Sequence, residues 1–207
     1  LVILGSVLTL YYAHDKTRGL VVGMFPLVLF AIIYDFMRVY PNHIANAVNI
    51  QEPYEIEKFL FGFSYNGELI IPNEYFGFEA NRNVVFDFLG GLFYGTWIAV
   101  PIAVAVVLFF VDKRLIVHFC WVFFLCNLLG IATYYLYPAA PPWYVAEYGF
   151  QFKSEVAGNP ARLLAFDQMF GITFFQDLYS RNPNPFAAVP SMHSAYPLLV
   201  LTYSIRR

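Results

Sequence analysis

Of the 207 residues, 59% are hydrophobic, 20% aromatic and only 13% charged, about half the roughly 25% charge usual in a soluble domain. So much apolar surface exceeds what a soluble core absorbs, and it points to an integral membrane protein. A net charge of −2 argues against nucleic acid as a partner, because backbone phosphates require a basic face.

Five membrane spans are expected. Residues 1–13 read as the tail of the first, followed by a polar turn, His14-Asp15-Lys16-Thr17-Arg18. Residues 20–37 form the second, with Tyr34, Asp35 and Arg38 near its end; Asp35 and Arg38 share a helical face and can pair. Residues 39–83 make a long loop outside the membrane. Within it, residues 54–61 have the spacing of an amphipathic helix lying on the membrane surface. Asn66-Gly67 marks a turn, and Pro72-Asn73-Glu74-Tyr75-Phe76 starts another short element. Residues 84–111 form the third span, whose Gly90-Gly91 and Gly95 allow close helix contact. After the charged turn Asp112-Lys113-Arg114 comes the fourth, residues 115–137, with His118 as an interfacial residue. Cys120 and Cys126 lie on different faces of it and are placed for neither a disulfide nor a metal site. Residues 138–187 are a second long polar loop. Residues 189–205 are the fifth span, ended by Arg206-Arg207. The chain thus reads as an all-α polytopic bundle, one transmembrane domain over residues 1–207. It starts without methionine inside an apolar segment and ends just after another, as expected of a piece of a longer protein.

Orientation follows from lysine and arginine in the short connections. Lys16, Arg18, Lys113, Arg114, Arg206 and Arg207 are half of the twelve basic residues, and alternation of five spans puts them all on one side. That side is expected to be cytoplasmic. The long loops hold most of the acids and lie opposite, so His193 is expected to face the periplasm or a lumen.

The stretch that opens the fifth span carries the chemistry. Arg181-Asn182-Pro183-Asn184-Pro185 is polar and proline-broken, and the chain then turns into an apolar helix. Proline favours a helix start, so the first turn is expected at residues 190–194, with Ser191 and His193 within it. Such a turn offers backbone N–H groups and a positive dipole end to an anion such as phosphate. Phosphoryl transfer also needs positive groups around the equatorial oxygens, an acid for the leaving oxygen and an in-line nucleophile. His193 suits the acid, because imidazole titrates near neutral pH. Arg181, Arg162 and Lys153 are candidates for the positive groups, with Arg181 foremost because it stands nearest to His193. Earlier, Tyr137-Pro138-Ala139-Ala140-Pro141-Pro142-Trp143-Tyr144 forbids a continued helix. Trp143 and Tyr144 suit either an aromatic belt at the membrane interface or a wall of a lipid headgroup pocket.

Pro190-Ser191-Met192-His193 resembles the second signature of the type 2 phosphatidic acid phosphatase superfamily, usually Pro-Ser-Gly-His and in one branch Pro-Ser-Leu-His. Together with Pro138-Ala139-Ala140-Pro141-Pro142-Trp143-Tyr144 it resembles the inositol phosphorylceramide synthase branch. The resemblance continues through Gly158, Pro160-Ala161-Arg162, Asp167 and Gly171-Ile172, and includes Tyr34-Asp35-Phe36-Met37-Arg38. It implies a six-span core, of which five spans stand in this chain. It implies a transferase, without metal or other cofactor, that moves inositol phosphate from phosphatidylinositol to ceramide or a diacylglycerol-like lipid alcohol through a phosphohistidine. His193 would be one member of a His-His-Asp triad, and Ser191, Arg181, Arg162, Lys153, Trp143 and Tyr144 would bind substrate. The other two triad members follow a His-x-x-x-Asp pattern that His14, His43 and His118 do not match, so they are expected beyond Arg207 on a sixth span. Two alternatives stand: a lipid phosphate phosphatase of the same superfamily, with water as acceptor, and a non-catalytic lipid-binding membrane scaffold. The Ala-Pro-Pro-Trp-Tyr string favours the transferase. So does the absence of the phosphatase signature Lys-x6-Arg-Pro, since Arg162 is followed by Leu163. The membrane would be a bacterial inner membrane, with the site facing the periplasm, or a Golgi membrane, with the site facing the lumen.

Overall fold

The computed structural model describes residues 2–182 and 184–205. Leu1, Pro183 and the Arg206-Arg207 pair, which contributes to the expected cytoplasmic charge, lie outside the described residues. In chain order the helices are α1 (Val2–Ala13), α2 (Asp15–Phe36), α3 (Asn42–Ala45) and α4 (Gln51–Phe61). A hairpin of β1 (Phe63–Tyr65) and β2 (Glu68–Ile70) follows. Then come α5 (Pro72–Gly77), α6 (Val84–Gly95), α7 (Ala99–Val111), α8 (Lys113–Leu136), α9 (Pro142–Tyr148), α10 (Leu163–Phe170), α11 (Phe174–Ser180) and α12 (Met192–Ile205). The mostly helical class agrees with expectation, with the hairpin as an addition to it.

Among the described residues, two helices are long and apolar enough to cross a membrane, α2 with 22 residues and α8 with 24; α6 and α7 make a third if counted together. At 1.5 Å per residue α2 reaches about 33 Å, enough for a hydrocarbon core of about 30 Å. The expected third span is therefore interrupted at residues 96–98. Pro101 supplies a reason. It has no N–H to donate to the Trp97 carbonyl, and it stands in the first turn of α7, where that loss is tolerated. The described parts of the apolar helices α1 and α12 have 12 and 14 residues. The expected polar turn at residues 14–18 is largely the first turn of α2. Asp15 begins that helix at the positive end of its dipole, and His14 Nδ1 accepts the Lys16 N–H at 3.0 Å. Asp112 does the same for α8, accepting the Arg114 N–H at 2.7 Å as an N-cap.

The chain folds as two compact units. One comprises residues 2–36, Thr96–Gly130 and residues 191–205; the other comprises Met37–Gly95 and Ile131–Pro190. The core of the first is Ala105, Leu108, Ile116, Phe119 and Cys120, flanked by Leu20, Met24, Leu199 and Val200, so α2, α7, α8 and α12 meet there. Gly23 lets α2 approach closely: a Cβ at that position would stand 3.3 Å from Ile116 Cδ1. His118 of α8 shares a hydrogen bond with the Tyr203 hydroxyl of α12.

The second unit has its core at Ile50, Ala140, Tyr144 and Phe186. The expected turn at Asn66-Gly67 is present, with φ of 52° and 88°, and it closes the antiparallel pairing of Phe63 with Ile70. Positive φ at both central residues is the turn that suits the twist of a two-stranded hairpin. The amphipathic helix expected at residues 54–61 lies within α4, where Phe59, Leu60 and Phe61 are exposed. Gly91 and Gly95 do allow close approach, but to the rings of Phe166 and Phe175 on α10 and α11. The stretch 138–187, read as a polar loop, contains three short helices and much of this unit's core.

Candidate active site

His193 belongs to the first unit. Ser191 precedes α12, and its carbonyl accepts the N–H groups of Ser194 at 3.2 Å and Ala195 at 3.3 Å. Ser191 thus stands at the N-cap, with Met192 and His193 as the first two helical residues, so the turn begins two residues later than Pro190. The N–H groups of Ser194 and Ala195 are directed back to that carbonyl, and the dipole end stands at residues 191–193. Met192 lies against Gly130 of α8, where a Cβ would be 2.5 Å from the Met192 Sδ. The His193 imidazole packs on the indole of Trp97, ring centres 4.5 Å apart. Trp97 stacks in turn on Tyr196, at 5.4 Å.

The segment leading to that turn is held by the second unit. Ala139 pairs on one side with Asn49 and on the other with Ala187, as two parallel bridges. The bonds are Asn49 N–H to the Pro138 carbonyl at 2.8 Å, Ala140 N–H to the Asn49 carbonyl at 2.9 Å, and Ala139 N–H to the Phe186 carbonyl at 2.9 Å. The proline-rich string therefore acts as a central strand between two extended segments. Proline lacks a donor, so the ladder uses the alanine N–H groups and the Pro138 carbonyl. Beyond Ala187, the Tyr134 hydroxyl donates to the Pro190 carbonyl at 2.8 Å. Two buried asparagines hold the same segment: the Asn42 side-chain amide donates to the Phe186 carbonyl at 3.0 Å, and Asn184, within the segment, accepts the Asn42 backbone N–H at 2.8 Å.

Of the residues expected to bind substrate, Ser191 shares the first unit with His193, and Trp143, Tyr144, Lys153, Arg162 and Arg181 belong to the second. Tyr144 is fully buried. Its hydroxyl donates to the Gln151 carbonyl at 2.7 Å and accepts the Lys153 N–H at 2.9 Å, so it shapes the chain around Lys153. Trp143, beside it on α9, is partly exposed and lies against the Tyr144 ring. The Lys153 ammonium sits 4.5 Å from the centre of the Tyr148 ring, a cation–π contact. The Arg162 guanidinium pairs with Asp87 of α6 through Nε at 3.1 Å and Nη2 at 2.7 Å, and its Nη1 donates to the Phe76 carbonyl. Asp167 is buried and accepts the Phe175 and Gln176 N–H groups, at 2.9 and 3.0 Å, at the start of α11. Arg181 is exposed, and among the described residues its guanidinium has no carboxylate partner. Among the described residues, no three His, Cys, Asp or Glu side chains gather as metal ligands do.

Sequence reasoning did not single out Asp87, Trp97, Gly130, Asn42 or Asn184. Pro101 is the signal that could have found Trp97, since a proline there leaves the Trp97 carbonyl, four residues back, without its helical donor. The two asparagines carried no spacing signal, because their partners are carbonyls far away in sequence.

The model of the PAP2 superfamily matches residues 77–207. Over 199 residues, covering 96% of this chain and 65% of the other, the chain is 43% identical to the phosphoinositol dihydroceramide synthase of Bacteroides thetaiotaomicron. It is 24% identical over 186 residues to the inositol phosphorylceramide synthase catalytic subunit of Schizosaccharomyces pombe, covering 88% of this chain and 42% of that one. It is 27% identical over 172 residues to the corresponding subunit of Saccharomyces cerevisiae, covering 82% and 41%. The chain thus spans about two thirds of the length of the bacterial relative and under half that of the fungal ones. No solved structure matches.

Proposed function

The chain belongs to the PAP2 superfamily, and we propose that it forms part of a membrane lipid phosphotransferase that moves inositol phosphate from phosphatidylinositol to ceramide or a similar lipid alcohol. The observation that carries this reading is the 43% identity, along nearly the whole chain, to a protein named for phosphoinositol transfer to dihydroceramide. The Pro-Ser-Met-His turn at the head of α12 adds the residue types the reaction needs. The bundle is proposed to have six spans, with the reacting side facing the periplasm or a lumen.

The transfer runs as a double displacement. A histidine supplied from outside residues 1–207 and oriented by an aspartate attacks the phosphorus of the donor. The bond from phosphorus to the diacylglycerol oxygen breaks, and protonated His193 gives its proton to that oxygen. Inositol phosphate is then held as a phosphohistidine. The ceramide hydroxyl attacks the phosphorus, neutral His193 takes the hydroxyl proton, and the phosphorus–nitrogen bond breaks, restoring both histidines. Arg181 is proposed as the foremost phosphate-binding residue, a reading supported by its exposure, whereas Arg162 is paired with Asp87. Partial positive charge at the α12 N-terminus is also of the sign that an anion needs.

The test is transfer by the full-length protein in detergent, with labelled phosphatidylinositol, with and without ceramide. Wild type is expected to form inositol phosphorylceramide only when ceramide is present, and His193→Ala to lose on the order of 10²- to 10⁴-fold, the usual contribution of a general acid–base group. Release of inositol phosphate regardless of ceramide would replace the transferase by a phosphatase. Undiminished transfer by His193→Ala would overturn the assignment of that residue.

A further inference from the structure

We infer that Trp97 is a positioning residue for His193, holding the imidazole in the orientation that proton transfer needs; this rests on the acid–base role proposed above. The two ring centres are 4.5 Å apart with their planes at 46°, so the imidazole leans on the indole. The indole is itself held from behind. Tyr196, three residues after His193 on α12, stacks on it at 5.4 Å with planes 14° apart. Tyr196 is buried, packs on Phe123 at 4.6 Å, and donates from its hydroxyl to Asn127 Oδ1 at 2.5 Å. Asn127 is buried in the apolar α8 and donates its Nδ2 to the Phe123 carbonyl at 2.8 Å. A polar amide in such a place is costly unless both of its ends are used. Here both are, and the result is a fixed Tyr196 ring and so a fixed indole plane.

The break before α7 fits the same device. Residue 97 sits in a turn, with Thr96 still accepting the Val100 N–H at 3.0 Å. Its side chain is therefore placed by the turn rather than by helical register. A histidine side chain has two free torsions and samples several rotamers, whereas general acid–base transfer uses one of them. The indole restricts that range and attracts the imidazolium form through its π face. Both effects act on proton transfer rather than on lipid affinity.

Two measurements on the full-length protein test this. In steady-state transfer from phosphatidylinositol to ceramide, Trp97→Ala is expected to lower kcat on the order of 10- to 100-fold, the scale of a misplaced catalytic group, with KM for either lipid little changed. Trp97→Phe keeps an aromatic face and is expected to retain most of the rate. Wild-type kcat in Trp97→Ala, or a loss confined to KM, overturns the inference. The second measurement needs no activity. In a variant with Trp97 as its sole tryptophan, His193→Ala is expected to change the indole emission, because it removes the ring that packs on the indole. Unchanged emission overturns the inference even if Trp97→Ala fails to fold. A protein that shows the emission change but transfers no inositol phosphate would instead count against the proposed function alone.

Discussion

Asn42 and Asn184, 142 positions apart, meet inside the second unit: the Asn42 backbone N–H donates to Asn184 Oδ1 at 2.8 Å. Asn184 Nδ2 donates to the Met37 carbonyl at 3.2 Å. Asn42 Nδ2 donates to the carbonyls of Tyr134 at 3.1 Å and Phe186 at 3.0 Å. An amide can donate and accept at once. Two of them therefore tie the segment leading to Pro190 both to the chain after α2 and to the end of α8. The turn that carries His193 begins directly after that tied segment.

Substitution at Asn42 separates donation from size. Asn42→Ala leaves two buried carbonyls without this donor, and a loss of about 1–3 kcal/mol is expected, read as a lower thermal unfolding midpoint in detergent. Asn42→Asp is nearly the same shape, yet it is expected to be worse than alanine, because a carboxylate would face the Tyr134 and Phe186 carbonyl oxygens. An Asp variant as stable as wild type would sink the donor assignment.

A second prediction concerns Gly130 and Met192. A Cβ at Gly130 would lie 2.5 Å from Met192 Sδ and 3.5 Å from its Cγ and Cε, so Gly130→Ala must push the thioether aside. Overpacking of this kind costs about 1–3 kcal/mol, and a displaced Met192 carries its neighbour His193 with it. Gly130→Ala is expected to lower both the unfolding midpoint and kcat. Met192→Gly removes the opposing atoms, and in that background Gly130→Ala is expected to be nearly neutral. Additive losses in the double variant would show that the two positions act independently.

The legible parts of this molecule are those with a local signal. Long apolar runs gave α2 and α8, Asn66-Gly67 gave the hairpin turn, and Pro-Ser-Met-His gave the start of α12 to within two residues. The break within residues 84–111 is hidden from the hydropathy pattern, which averages over Pro101, whose missing donor interrupts the helix without making the sequence polar. The prolines of residues 138–142 look irregular in the sequence, whereas the alanine N–H groups between them pair on both sides. Arg162 illustrates why a site is harder to read than a fold. A lone arginine in a loop looks available for phosphate, and only the tertiary structure brings Asp87, 75 positions away, against it.

That pair gives a third prediction. The Arg162 and Asp87 side chains are 25% and 10% exposed. Removing either partner leaves the other charge mostly buried and unpaired, and a loss of up to about 3 kcal/mol is expected, somewhat below that of a fully buried pair. Arg162→Gln and Asp87→Asn should each lower the unfolding midpoint, and the double variant should be more stable than the sum of the two predicts. If instead Arg162→Gln raises KM for the phospholipid while Asp87→Asn does not, Arg162 contacts substrate in addition to its partner.

Alkaline pH tests the contact between α4 and α5. The Tyr54 hydroxyl donates to Glu74 Oε1 at 2.8 Å, and Glu74 Oε2 accepts the Ile71 N–H at 2.9 Å. Burial pushes the Tyr54 phenol up from 10.0 to about 12, with the hydrogen bond and charge of Glu74 adding to it, then the charges of Glu55 and Glu57. The folded value lies above the unfolded one, so the native state binds the phenolic proton more tightly. Its contribution to stability is complete below pH 10 and is lost as pH rises through about 12. Tyr54→Phe lacks both the bond and the titration. Other tyrosines also ionise in this range, so the informative quantity is the difference in unfolding midpoint between wild type and Tyr54→Phe at each pH. That difference is expected to favour wild type at neutral pH and to shrink steadily through the alkaline window. A constant difference would mean that Tyr54 acts by packing, and that Glu74 holds α5 through the Ile71 N–H alone.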